Sequence, residues 1–187
     1  MGRPAKFGQD QILDVALAIA AEDGPGKVTM AAIAARLGGP TGSLYHRFGS
    51  RDLLLATLWL RTTQRFQDGF VAALTGGDAE GAALHTPRWC RAQPAEAALL
   101  LLYRRQDLAA RWPAELGQEL DQCNARLPAA LDAFAAAHPG IDRDRLVFAV
   151  IDVPYGAVRR HLLERRSPPP LVDELIVSVC RAVLTSP

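Results

Sequence analysis

The stretch Gly42-Ser43-Leu44-Tyr45-His46-Arg47-Phe48-Gly49-Ser50-Arg51-Asp52-Leu53-Leu54 decides the fold. Leu44 and Phe48 stand four residues apart, so on a helix they share one face. Thr41, Ser43, Tyr45, His46 and Arg47 are left to the other side. Gly49 breaks that helix, and Ser50 caps the next, because its hydroxyl accepts from the free N–H groups of a first turn. Upstream, Pro40 has the fixed φ and missing N–H suited to a first helical position. A very short helix is therefore predicted from Pro40 to about Arg47. Gly38-Gly39 forces a tight turn before it, and Thr29 caps another short helix running through Leu37. Two short helices joined by a glycine turn, the second opening on small and polar residues, make a helix-turn-helix pattern.

Outward from this motif the apolar residues keep helical spacing, and β-branched runs of alternating polarity are absent, which predicts an all-α chain. A first helix over 9–23 carries Ile12, Val15, Ala16 and Ile19 at helical intervals and is stopped by Gly24-Pro25-Gly26. A long helix after Ser50 lines up Leu55, Leu58, Trp59, Thr62, Phe66 and Phe70 and ends near Thr75-Gly76-Gly77. Further helices are expected near 79–92, 94–107, 113–137, 143–166 and 170–184, with kinks at Pro128 and Pro154. No Ser/Pro-rich or charged linker interrupts the chain. The expected division is 1–49 for the helix-turn-helix unit with its N-terminal arm and 50–187 for a helical unit, joined rigidly through the long fourth helix.

The 187 residues are 49% hydrophobic and 6% aromatic, a soluble globular composition. Twenty-one Lys and Arg against twenty Asp and Glu leave a formal charge of +1, which excludes a chain that coats nucleic acid by bulk charge. The charge is unevenly placed: residues 1–75 hold eight basic and six acidic residues, and residues 76–187 hold thirteen and fourteen. No apolar run reaches the ~18–20 residues that span a bilayer, and the N-terminus lacks the apolar stretch of a secretory signal, so a cytoplasmic location is expected. Cys90, Cys123 and Cys180 are too widely spaced for a metal site and read as small buried hydrophobes. His85, His138 and His161 lack metal-ligand spacing as well, so no metal is expected. No Ser/His/Asp, Cys/His or paired-carboxylate arrangement and no phosphate-binding glycine loop is legible; a non-enzyme without a cofactor is expected.

Thr29-Met30, Ile33-Ala34, Gly38 and the run from Gly42 to Leu54 together resemble the signature of the tetracycline-repressor (TetR) family of transcriptional regulators. The strong resemblance covers about residues 9–60, and the length and helix count of the remainder fit the same family. Residue by residue, it implies that Thr29 and Tyr45 contact DNA phosphates. Thr41, Gly42, Ser43 and His46 would sit at the bases beside the outward Arg47, and Arg51 would grip the backbone. The arm Gly2-Arg3-Pro4-Ala5-Lys6 is similar to the family's basic leader, which places Arg3 and Lys6 along the minor groove. Two departures stand out. Gly39-Pro40 occupies the place of an apolar residue followed by serine, so the turn lacks a hydrophobic anchor, and Thr41 replaces a common basic residue.

The resemblance further implies a small-molecule effector pocket among the later helices, for which the aromatic candidates are Trp59, Phe66, Phe70, Trp89, Tyr103, Trp112, Phe134 and Tyr155. The chemical identity of the effector is not legible. A homodimer through the last two helices is implied too, with Leu146, Val150, Gly156, Val158 and Leu162 on one and Leu175, Ile176, Val179 and Val183 on the other. The expected function is a ligand-responsive repressor binding a palindromic double-stranded operator as a dimer. A helical protein-binding adaptor without DNA specificity is the alternative.

Overall fold

The computed structural model describes residues 7–104 and 112–185, and the described residues contain helices and no strand. Helix α1 (Gln9–Asp23) ends at Gly24, whose φ of 87° is open to glycine, and a 3-10 turn at Pro25–Lys27 follows. Helix α2 (Met30–Leu37) is capped by Thr29, whose Oγ1 accepts from the Ala32 N–H at 3.0 Å. Gly38 closes α2 in the left-handed conformation, with φ 62°. Helix α3 (Thr41–Phe48) begins one residue later than the proline geometry predicts, because Pro40 is extended (ψ 138°) and serves as the N-cap. Helix α4 (Arg51–Thr75) is capped by Ser50, whose Oγ accepts from Leu53.

The first core gathers Ile12, Leu13, Ala16 and Ile19 of α1, Ile33 of α2, Leu44 and Phe48 of α3, and Leu54, Leu55 and Leu58 of α4. Ile12, Ala16, Ile19, Leu55 and Leu58 belong to the predicted stripes; Leu13 and Leu54 join the core beside them, and the predicted Val15 is only partly buried. Leu99, far away in sequence, completes that core at 1% exposure. It lies on α6 (Pro94–Leu102), which follows α5 (Ala79–Ala92). α6 stops at Leu102, short of the expected 107, because Tyr103 turns extended, with its hydroxyl beside Gly24 at the end of α1.

After a 3-10 turn at Ala114–Leu116 comes α7 (Gly117–Ala137), which accommodates Pro128 on its exposed side. Helix α8 (Arg143–Val147) runs through a π turn at Phe148–Asp152 into α9 (Val153–Leu163). Pro154 has no N–H for the carbonyl four residues back, and the wider pairing just before it absorbs the break. Helix α10 (Leu171–Thr185) closes the described chain. The second core joins Phe70 and Leu74 of α4 to Trp89, Phe134, Leu146, Val150, Val158 and Ile176. All three cysteines are buried, and burial pushes the Cys90 thiol to about 12.

Helix α4 therefore contributes to both cores, and two polar clamps fix it. Arg61 reaches Asp14 at 2.8 Å and Asp10 at 3.3 Å on α1. Arg65 donates at 2.7 Å to Glu96 of α6, a carboxylate buried to 3% exposure. A buried carboxylate needs such a donor.

Candidate nucleic-acid interface

Helix α3 divides as its spacing dictates. Leu44 and Phe48 are buried at 1% and 3% exposure, while Tyr45 stands 51% exposed and His46 and Arg47 are exposed beside it. Thr41 and Ser43 are half-buried and Gly42 is exposed. Their chemistry differs. Ser43 Oγ donates to the Pro40 carbonyl at 2.7 Å, so its oxygen remains as an acceptor. Thr29 Oγ1 accepts from the backbone, so its O–H remains as a donor at the exposed start of α2.

Gly42 carries the sharpest signal. A Cβ built there meets nothing within 4 Å, and its φ lies outside the left-handed range. Neither folding sterics nor backbone conformation requires glycine in this first turn, where it is a poorer helix former than alanine. A bare backbone at the tip of α3 suits the close approach of an external partner.

Gly39 has an internal reason. A Cβ at Gly39 would overlap the ring of Phe7, which packs on the first core. The turn's hydrophobic anchor is thus supplied by the residue just after the N-terminal arm, which corrects the expectation that none exists. Arg3 and Lys6 lie outside the described residues.

Arg51 is placed differently from a phosphate grip. Its Nε donates to the Val28 carbonyl and an Nη to the Pro25 carbonyl at 2.8 Å, so the half-buried guanidinium ties the 3-10 turn to the start of α4. The Pro25 carbonyl, which also accepts from the Val28 N–H, has a second lone pair to offer it. It positions the Thr29 cap from within. One further signal was available in the sequence: from Gly24 to Arg51 there is no Asp or Glu, while Lys27, Arg36, Arg47 and Arg51 supply four cations. Averaging over residues 1–75 diluted it.

The aromatic residues assigned to an effector pocket scatter. Phe66 lies 5.0 Å from Trp89 and 5.9 Å from Phe70 by ring centroids, a packed cluster within the second core. Trp59 meets Trp112 edge-on at 5.8 Å beside α7. Tyr155 is on the surface, donating to the Leu101 carbonyl. Phe134 borders a cavity of about 300 Å³, and Tyr103 borders one of about 540 Å³.

The dimer candidates divide in a similar way. Leu146, Val150, Val158, Leu162 and Ile176 are buried inside the chain and present no surface to a second copy, which corrects their assignment. Gly156 is exposed, Val179 and Val183 are half-buried, and Leu175 is 54% exposed. The large exposed apolar residues of these helices include Phe148, Tyr155, Leu163 and Leu171 instead. Each helix carries two apolar stripes, and sequence spacing does not say which one the protomer keeps for itself.

Fold and site together define a helix-turn-helix unit fused to a helical bundle. Residues 12–58 match the family model described as bacterial regulatory proteins, tetR family, so the chain carries that family's N-terminal domain. The match ends at Leu58, the last α4 residue in the first core. No curated protein matches the chain. Among solved structures, it is similar to the transcriptional regulator FadR from Bacillus subtilis in complex with stearoyl-CoA. That match has a TM-score of 0.70 and 17% identity and covers 95% of this chain and 98% of that one. It is similar also to the fatty acid degradation regulator FadR from Bacillus halodurans, with a TM-score of 0.67, 16% identity and coverage of 96% and 100%. Mycobacterium smegmatis AmtR aligns with a TM-score of 0.66 and 19% identity over 99% of this chain and 90% of that one. At these identities the likeness establishes the fold.

Proposed function

We propose that the chain is a sequence-specific DNA-binding transcriptional repressor that acts as a homodimer on a palindromic operator and responds to a small molecule. One observation carries the reading: the outward face of α3 joins a sterically unexplained Gly42 to the exposed Tyr45, His46 and Arg47 in a window without carboxylates. A major groove about 12 Å wide admits such a helix, and its first-turn N–H groups favour phosphate. Thr29 would donate to a phosphate, Tyr45 would reach another, and Thr41, Ser43 and His46 would face base edges. Arg3 and Lys6 would follow the minor groove.

Residues 1–49 would be the DNA-binding unit and 50–187 the effector and dimer unit. The exposed Phe148, Tyr155, Leu163, Leu171 and Leu175 support a two-helix face for a second copy. A twofold dimer sets two α3 helices into successive major grooves about 34–36 Å apart. The stearoyl-CoA bound to the Bacillus subtilis neighbour supports a small-molecule effector. Such an effector acts through its different affinity for the two arrangements of the reading heads.

Selection from a random duplex pool tests this. Wild type should enrich a palindrome, more weakly at higher salt as counterion release is lost, and Tyr45→Ala should lose the enrichment. No enrichment by wild type at low salt would overturn the reading and leave the adaptor.

A further inference from the structure

The cavity of about 540 Å³ lies where the reading head meets the bundle. Ala20 lines it from α1, Ala98 and Leu102 from α6, Tyr103 from just beyond, and Arg165 and Arg166 from the turn after α9. The volume falls within the ~300–1,000 Å³ of small-molecule sites. Its lining is largely aliphatic, with Glu22, Tyr103, Arg165, Arg166 and Ser167 as its polar side chains.

The charged side chains of the lining are not all paired. Glu22 of the lining is paired with Arg36 of α2, and Arg166 is paired with Glu164. Among the described residues no carboxylate pairs with Arg165. Arg165 has φ 53°, in the left-handed region, where it closes α9 as a Schellman cap: its N–H reaches the Leu162 carbonyl and the Arg166 N–H reaches the His161 carbonyl. In that conformation its Nη2 donates to the Glu22 carbonyl at 3.0 Å, tying the turn after α9 to the end of α1. A guanidinium carries five donors, so one bond to a carbonyl does not exhaust it.

We infer that this seam binds an amphipathic anion, an apolar chain or ring with a single carboxylate or phosphate head, with the body on the α6 alanines and the head on Arg165. The class follows from a largely aliphatic lining that includes one guanidinium with no carboxylate partner among the described residues. Occupation draws Arg165 toward the head and away from Glu22. Glu22 sits between this turn and Arg36, so the contact between bundle and α2 changes with it. The consequence for DNA rests on the function proposed above; the binding itself does not.

Calorimetric titration of the full chain without DNA tests the site, using dodecanoate, dodecyl phosphate and dodecylamine below their micelle concentrations. At least one of the two anions should bind at least tenfold more tightly than the amine, and their ratio identifies the head. Ala98→Trp, which fills the cavity from α6, should abolish binding. Arg165→Asn, which keeps a residue tolerant of the left-handed region, should weaken the anion at least tenfold and leave the amine unchanged. Equal binding of all three probes, no binding of either anion, or full binding in both variants would overturn the inference. If Ala98→Trp loses its helical circular dichroism, Arg165→Asn decides alone. On a selected operator, the bound anion should shift wild-type affinity at least tenfold and leave Ala98→Trp unaffected. Anion binding by a chain that selects no DNA would sustain the site while removing the DNA reading.

Discussion

At the residue scale, Gly69 and His85 show how one side chain dictates another position. Gly69 lies within α4, and a Cβ there would overlap the His85 imidazole, which packs 4.9 Å from Phe66 and 6.2 Å from Phe70. Glycine in a helix costs ~1 kcal/mol relative to alanine. Gly69→Ala should nonetheless destabilise the protein in urea unfolding, whereas the same change in a His85→Ala background should stabilise it by about 1 kcal/mol. Identical effects in both backgrounds would dissociate the two residues. Burial also pushes the His85 pKa below its ordinary 6.5, against a weaker opposing hydrogen bond to the Phe66 carbonyl. The unfolded chain takes up this proton near 6.5 and the folded chain only at lower pH. The His85 contribution to stability is therefore full above 6.5 and drains away as pH falls through that value toward the folded pKa. Urea midpoints between pH 5 and 8 should fall on the acid side more steeply for wild type than for His85→Gln.

At the element scale, α6 joins the two units alongside α4, since Leu99 inserts into the first core. Leu99→Ala should cost about 2–5 kcal/mol as a cavity opens there. A loss below 1 kcal/mol in denaturant unfolding would mean that α6 merely lies alongside. This joint was not legible in the sequence, because Leu99 sits in the run Ala97-Ala98-Leu99-Leu100-Leu101-Leu102, where every turn is apolar and no face is marked. Helix starts were legible wherever a capping side chain announces them, as at Thr29 and Ser50. The end of α6 was not, because Tyr103 leaves the helix for a tertiary position beside α1 that no local propensity encodes. Within the candidate site, the outward set on α3 followed from the burial of Leu44 and Phe48. The internal bonding of Arg51 did not, since its acceptors lie 23 and 26 residues away in sequence.

At the scale of the whole molecule, adjacent leucine and isoleucine on α10 separate assembly from folding. Leu175 is 54% exposed and Ile176 is 1% exposed. Leu175→Arg should yield a folded monomer by analytical ultracentrifugation, with weakened operator binding because two linked half-sites become one. Ile176→Arg should fail to fold, since it buries an unpaired charge. A Leu175→Arg protein that remains dimeric would place the interface elsewhere. The packing of Phe7 on Gly39 has a consequence for the site on DNA. It fixes Phe7 at the turn, and Arg3 precedes Phe7 by four residues, a reach of at most about 14 Å. At ~3.4 Å per base pair along a strand, that reach is about four base pairs. In a protein working as proposed, Phe7 is a ruler: whatever the arm reads is confined to the immediate flank of each half-site, and lengthening the arm by glycines should move that preference outward.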